Sequence, residues 1–306
     1  MQTHTNTSNH SIIAFAETIN TKKHSGELSE SKAEKFLDFL QEVNEEFLEH
    51  PIVTNNQYTY WFQQGDISLE HLRHFTVQFS VFSNQFLVAQ LKKMINADSL
   101  EGMRSAKEIL ANEIGVVFRS SNVKAMQKLN AKELNAEEIE QEGDPELVSI
   151  SGSIDGGAFR FTAAHFEWLL SFAKPLGLTF NDLGKPRHAT ESTRFFCDEL
   201  CRIYASEDPN IAVGASFAIE NWAAAGFWQE LVDGLAIIKH KQIPNLPLAF
   251  FTWHNKLEAQ HAHNTLKELE DIFFKPNFDQ EKFLSGGIAM LNALSVFWNG
   301  LFELTQ

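Results

Sequence analysis

Apolar residues recur at helical spacing in every long segment of this 306-residue chain. In the first such segment Phe36, Leu40, Val43 and Phe47 follow one another at intervals of three or four residues, which places them on one face of a helix. The period-two alternation that is typical of half-buried strands is almost absent. The spacing therefore predicts an all-α fold, a single helical bundle of seven to nine helices.

The sequence also predicts how the chain divides. Residues 1–28 are polar and carry too little apolar surface to offset the entropy of ordering, so they are expected to form a flexible N-terminal arm. Residues 29–306 are expected to form the helical domain. Within that domain, residues 121–157 are acidic and poor in aromatic residues. We expect an insertion here that is mostly loop, with a short helix over residues 131–142.

Charge and composition restrict the class of partner. The formal net charge of -15 would repel nucleic-acid phosphates and anionic lipid surfaces, so a small-molecule substrate is favoured. No segment approaches the length of an apolar membrane span, and the N-terminus lacks the pattern of a secretory signal. We expect a soluble cytoplasmic protein that needs no membrane and binds no nucleic acid, and a homodimer is the expected assembly.

Three polar residues near the C-terminal end share one face of a predicted helix. His254, Glu258 and His261 form a His-x3-Glu-x2-His pattern, and offsets of four and seven residues return to within about 40° of the starting direction. Aromatic and aliphatic neighbours such as Phe250 and Trp253 make this face costly to bury unless a cation neutralises it. The pattern indicates a metal site, although a solvent-exposed helix face with two histidines and a glutamate would have the same sequence pattern.

Further acidic and imidazole side chains lie inside apolar helices. One long helix is predicted from Asp208 to His240. Glu220 is the only charged residue between Asn210 and Glu230 in it, so an unpaired carboxylate there would be costly. Glu113 lies within a helix predicted over residues 99–118, and His165 within one predicted over residues 158–177. Taken singly, Glu113 could be a charge at the rim of the bundle and His165 a core histidine with a hydrogen-bond partner.

Together these residues suggest a dinuclear centre. Three carboxylates and three neutral imidazoles bring a charge of about -3, which nearly balances the charge of two ferrous ions. A closed structural zinc site would use fewer and softer ligands. Ferritin-like bundles use two Glu-x-x-His motifs on separate helices, whereas this sequence contains only one, from Glu258 to His261.

The order Glu, His, Glu and then His-x3-(Asp/Glu)-x2-His resembles the heme-oxygenase-like diiron oxidases, relatives of the TenA and PqqC helical proteins. The resemblance covers roughly residues 55–302. It implies a heme-oxygenase-like bundle that binds two iron ions, or a manganese and an iron ion, with dioxygen as co-substrate and no haem. The metal ligands that it implies are Glu113, His165, Glu220, His254, Glu258 and His261. The sequence departs from the family at Glu258, where aspartate is common, and in the spacing of Glu113 and His165, which are 52 positions apart.

Relatives of this kind carry out oxidative cleavage, decarboxylation or N-oxygenation of small substrates, and the resemblance implies a substrate that is apolar or amino-acid-like. The phenylalanines at positions 75, 79, 82 and 86 could line an apolar tunnel, or could simply be core packing. Two other functions remain open. One is a metal-free enzyme of the TenA/PqqC type that uses Glu and His for proton transfer, and the other is a helical ligand-binding protein.

Overall fold

The computed structural model describes residues 7–118, 149–154 and 157–305. Helices dominate them, as predicted, and a small antiparallel sheet interrupts the helical order. In chain order the elements are α1 Thr7–Ser25, α2 Glu30–Val43, α3 Pro51–Thr54, α4 Gln57–Phe62, α5 Leu69–Ile95, α6 Leu100–Glu113, β1 Val116–Phe118, β2 Ser149–Ile154, β3 Gly157–Thr162, α7 His165–Ala173, α8 Glu191–Ile203, α9 Pro209–Trp222, α10 Trp228–Lys241, α11 Ala249–Phe273 and α12 Gln280–Glu303.

The all-α prediction is confirmed, although the helices exceed the predicted seven to nine. Two of the additional helices, α3 and α4, have only four and six residues. Another arises because the long helix predicted after Asp208 divides into α9 and α10. A π-helical turn, Ala223–Phe227, separates them, and inside it Gly226 has a φ of 117°, which a residue with a side chain rarely adopts.

The bundle is built around α12, which packs against α9 and α8. Glycines allow the closest approach, because a Cβ atom at Gly214 of α9 or Gly286 of α12 would overlap a backbone carbonyl group of the other helix. Large buried side chains, including Phe217, Phe297 and Trp298, fill the space around this crossing. No helix in the described part of the chain is both long and apolar enough to cross a membrane.

The N-terminal prediction is wrong in one respect, because most of the expected flexible arm, residues 1–28, forms helix α1. Ile12, Phe15 and Ile19 recur at intervals of three and four residues and are all buried. At the end of the helix, Lys22 pairs with Glu270 of α11 at 2.6 Å. The average composition of this segment is polar, but one narrow apolar stripe is enough to dock it on the bundle.

Substituting Phe15 tests whether α1 is part of the folded domain. Phe15 is 5 % exposed and packs edge-on against Phe36, at 6.4 Å between ring centroids. Phe15→Ala should lower the free energy of unfolding by about 3 kcal/mol, because it removes a buried aromatic ring and leaves a cavity. Ile13 on the same helix is 55 % exposed and provides the control. Urea unfolding of Ile13→Ala should match wild type, and equal midpoints for both variants would contradict the docking of α1.

The sheet corrects two predicted helices. The helix predicted through Phe118 ends at Glu113, because Gly115 adopts a φ of 74° and β1 follows. The helix predicted from Ala158 begins only at His165, since Gly157–Thr162 is strand β3. Residues 149–154 of the predicted loop also form a strand, β2. The remainder of the acidic insertion, including the short helix predicted over residues 131–142, lies outside the described residues.

Candidate metal centre

The sheet brings Glu113 and His165 together although 52 residues separate them in sequence. Strands β1 and β3 are antiparallel, and Val116 pairs with Phe161. In an antiparallel ladder each step backward on one strand matches a step forward on the other. Three residues before Val116 lies Glu113, at the end of α6, and four after Phe161 lies His165, at the start of α7. Strand pairing therefore fixes these two side chains next to each other.

His254, on α11, completes a cluster of three possible ligands. One side-chain ligand atom from each of Glu113, His165 and His254 lies within 4.8 Å of the others. Two donor atoms bound to one first-row metal ion lie up to about 4.4 Å apart, because each bond is about 2.0–2.2 Å long. The cluster is therefore nearly of coordination size and needs only a small contraction to bind an ion.

The orientation of His165 is that of a ligand rather than of a hydrogen-bond donor. Its Nδ1 lies 2.9 Å from Oε2 of Glu113, yet the two groups are not aligned for a hydrogen bond. Among the described residues this buried nitrogen has no hydrogen-bond partner. Two donor atoms at right angles on one ion would be about 3 Å apart, with both lone pairs directed at the metal. The observed pair has this separation.

A hydrogen bond to the backbone fixes the ring of His254. Its Nδ1 lies 2.6 Å from the carbonyl oxygen of Phe250, one helical turn earlier. A carbonyl oxygen can only accept, so Nδ1 carries the proton and Nε2 keeps its lone pair. The imidazole also stacks on the indole of Trp228, with 4.7 Å between ring centroids and 18° between planes. Metal-binding histidines commonly have this backbone contact, which sets both tautomer and orientation.

Glu220 approaches the same place from α9. A cavity of about 150 Å³ lies beside the cluster, and Glu113, Glu220 and His254 all contribute to its wall. The rest of the wall is almost entirely apolar. It includes the rings of Trp222, just before the π-helical turn, and Phe227, at its end, which stack on each other with 4.1 Å between centroids. The other residues of the wall are Phe79, Phe82, Ser83, Phe86, Ile109, Ile219, Ala223, Trp228, Phe250 and Trp253.

The phenylalanine stripe of α5 divides between two roles. Phe79, Phe82 and Phe86 line the cavity, whereas Phe75 is fully buried against other core rings. Trp222 also lines the cavity, and its buried indole N–H has no hydrogen-bond partner among the described residues. A bound molecule with an acceptor atom would satisfy it.

For the remaining two predicted ligands, Glu258 and His261, the structure describes only the backbone of the helix that carries them. The backbone of α11 is helical from Ala249 to Phe273, so positions 254, 258 and 261 belong to one continuous helix, as predicted. The side chains of Glu258 and His261 lie outside the described residues. Their role as ligands therefore stays a prediction.

Sequence reasoning missed the aromatic enclosure of the cluster. The rings of Trp168 and Trp253 lie 4.8 and 4.5 Å from that of His165, between centroids, and shield it from water. Each tryptophan lies three residues from a histidine or next to one, in "HFEW" and "WH". That proximity was the available signal, but an apolar helix face explains it equally well.

No protein-family model and no curated protein matches the sequence. Among solved structures, the chain is similar to the crystal structure of a TenA homolog from Pseudomonas syringae pv. tomato str. DC3000. The TM-score is 0.57 over 87% of this chain and 93% of that chain, at 10% sequence identity. A likeness at this identity concerns the fold alone. The chain thus has a helical fold of the TenA type.

Proposed function

We propose that this protein is a non-heme dinuclear iron oxidase or oxygenase that uses dioxygen to oxidise a small apolar or amino-acid-like substrate. The observation that carries the proposal is the convergence of Glu113, His165 and His254 from three helices, with the buried Nδ1 of His165 left without a hydrogen bond. A buried imidazole nitrogen without a hydrogen bond is costly unless it binds something else. A cation held jointly with Glu113 would remove that cost.

The donor set suits iron. Imidazole nitrogen and carboxylate oxygen are ligands that ferrous and manganous ions accept, whereas the described cluster contains no thiolate of the kind that structural zinc sites prefer. Glu113, His165 and His254 would hold one ion. Glu220, with Glu258 and His261 further along α11, would complete the site for a second. Bound iron would supply one-electron chemistry with dioxygen.

The chain's own residues would bind and shield the substrate. The cavity beside the cluster presents aromatic rings, which exclude water and favour an apolar group near the proposed metals. Its wall contains phenylalanine and tryptophan but no tyrosine or cysteine among the described residues. Glu220 from α9 and His254 from α11 both contribute to the wall of this cavity, so a substrate bound there would contact both side chains.

Anaerobic titration with ferrous ion tests the proposal directly. We expect about two iron ions to bind per chain, because six nitrogen and oxygen donors are too many for one ion that must also keep open positions. Admission of dioxygen to the loaded protein should then change its optical spectrum within seconds. Protein treated with a chelator before dioxygen is admitted should show no such change in its spectrum.

Two results would contradict this assignment. Binding of zinc in preference to iron, with no optical response to dioxygen, would point to a closed structural site. A protein that binds no metal and still turns over a substrate in the presence of chelator would instead be a metal-free enzyme of the same fold.

A further inference from the structure

A second cavity adjoins the one beside the candidate metal centre. Its volume is about 300 Å³, and Ile109 and Glu220 contribute to the walls of both cavities. Glu220 therefore stands between a small apolar space and a larger polar one. The polar groups of the second cavity include Lys93, Asp98, Ser216, Thr265 and Glu268.

Lys93 is the unusual group in this wall. Its Nζ donates to Oγ of Ser216 at 2.9 Å and lies 4.5 Å from the centre of the Tyr204 ring. No described carboxylate lies within ion-pair distance of Nζ. Lys93 retains some exposed surface because it lines the cavity, yet burial is the largest influence on its amine and lowers its pKa, while the charges of Glu268 and Glu220 oppose that shift.

A polar chain behind Lys93 holds its amine in place. Ser216 also contacts the hydroxyl of Tyr204, to which Nε2 of Gln90 donates at 2.5 Å. Burial raises the pKa of the Tyr204 hydroxyl, so this group stays neutral. An ammonium group has three N–H donors, and Ser216 takes one of them. The other two remain available to a ligand in the cavity.

The charges around the cavity suit a ligand with two opposite charges. Among the described residues of the wall, Lys93 is the only cation, and Asp98 and Glu268 carry carboxylates in addition to Glu220, the proposed metal ligand. A simple anion would find one attractive group and at least two repulsive ones. A simple cation would leave the donors of Lys93 unused. A zwitterion can satisfy both the ammonium and the nearby carboxylates.

We propose that the second cavity binds the zwitterionic head group of an α-amino acid, with the substrate carboxylate on Lys93 and the substrate ammonium beside Glu268. The amino-acid side chain would extend past Glu220 into the apolar cavity next to the metal centre. This proposal rests on the proposed function, since it names the substrate class of that centre. It assigns Lys93 and Glu268 to substrate binding and Ser216 to positioning the lysine.

Matched ligands and variants of the full-length protein test this proposal. L-phenylalanine carries both charges, 2-phenylethylamine lacks the carboxylate, and 3-phenylpropanoate lacks the ammonium. Calorimetric titration should show that wild type binds L-phenylalanine at least about 10-fold more tightly than either analogue, because each charge-assisted contact contributes on that order. L-leucine and L-tryptophan in the same assay would report how the side chain fits the apolar cavity.

Neighbouring lysines provide a matched pair of variants. Lys93→Met should weaken binding of L-phenylalanine and 3-phenylpropanoate at least about 10-fold and leave 2-phenylethylamine unchanged. Lys92→Met, which alters the exposed neighbour, should change none of the three. Glu268→Gln should weaken L-phenylalanine and 2-phenylethylamine but not 3-phenylpropanoate. This crossed pattern could not come from loss of folding, which would weaken all three ligands together.

Failure of this proposal and of the proposed function would look different. Equal affinities for the three matched ligands, no binding of any amino acid, or wild-type behaviour of Lys93→Met would overturn the head-group site. Those outcomes would leave the iron stoichiometry of wild type untouched. Conversely, if wild type bound amino acids in this charge-dependent way but no iron, the subsite would stand and the assignment as an iron enzyme would fall.

Discussion

A protein in which alanine replaces His254 should bind iron at least about 100-fold more weakly and lose dioxygen-dependent turnover. Loss of an outer hydrogen-bond partner alone can cost 10- to 100-fold in metal affinity, and His254 would be a direct ligand. The rings of Trp228 and Phe250 lie 4.7 and 4.4 Å from the imidazole, between centroids, and neither offers a ligand atom that could take its place. Anaerobic ferrous titration with optical detection measures the loss.

Two further variants make this test specific. His240 is exposed on α10, so His240→Ala removes an imidazole without touching the cluster and should bind iron as wild type does. Glu220→Gln keeps the shape of its side chain but removes the charge, and it should reduce the stoichiometry from two ions to one. Unaltered iron binding by His254→Ala, with helical content preserved, would remove α11 from the proposed site.

The largest effect on stability should come from Gly214, at the crossing of α9 and α12. A methyl group there would overlap the carbonyl oxygen of Phe283, and the neighbouring backbone cannot move aside as a flexible side chain could. Gly214→Ala should therefore lower the free energy of unfolding by about 3 kcal/mol or more, since the two helices must separate or distort. Urea unfolding followed by circular dichroism measures it.

A second helical glycine provides the control. At Gly102 in α6, an added methyl group would meet the Ser99 hydroxyl at 3.1 Å and otherwise only the methyl of Ala97, at 3.8 Å. Alanine also has the higher helix propensity, so Gly102→Ala should stay within about 1 kcal/mol of wild type. If both variants unfolded alike, the close approach of α9 and α12 would not be the cause.

The helices were predictable from local pattern. The start of α5 illustrates this, because serine is a preferred residue just before a helix, and the hydroxyl of Ser68 accepts from the backbone N–H of His71 at 3.1 Å. Helix α1 was missed because a mean over 28 residues hides three well-spaced apolar ones. Strand β1 was missed because it pairs with β3, far along the chain, which periodicity within one segment cannot reveal. Strands β2 and β3 are close in sequence, but a short run of this kind does not distinguish a strand from a helix or loop.

The candidate site was predictable in part. An isolated carboxylate in an apolar run drew attention to Glu220, and helical spacing drew attention to His254. Nothing in the sequence distinguishes Lys93 from Lys92, since both lie near the end of an amphipathic helix. Only the tertiary structure shows that the amine of Lys93 contacts Ser216 of α9 and that Lys92 is exposed. Which of the two amines is buried depends on tertiary packing, which the local sequence does not reveal.

The pairing of β1 with β3 has a consequence for how this chain could diversify. Strand β1 ends at Phe118, and its backbone hydrogen bonds to β3 hold the segments that carry Glu113 and His165 together. These hydrogen bonds do not involve the stretch between β1 and β2. A change in the number of residues between β1 and β2 would leave these hydrogen bonds in place, because the pairing of Val116 with Phe161 does not depend on that number. The stretch between β1 and β2 could therefore change in length during evolution while the distance between Glu113 and His165 stays the same.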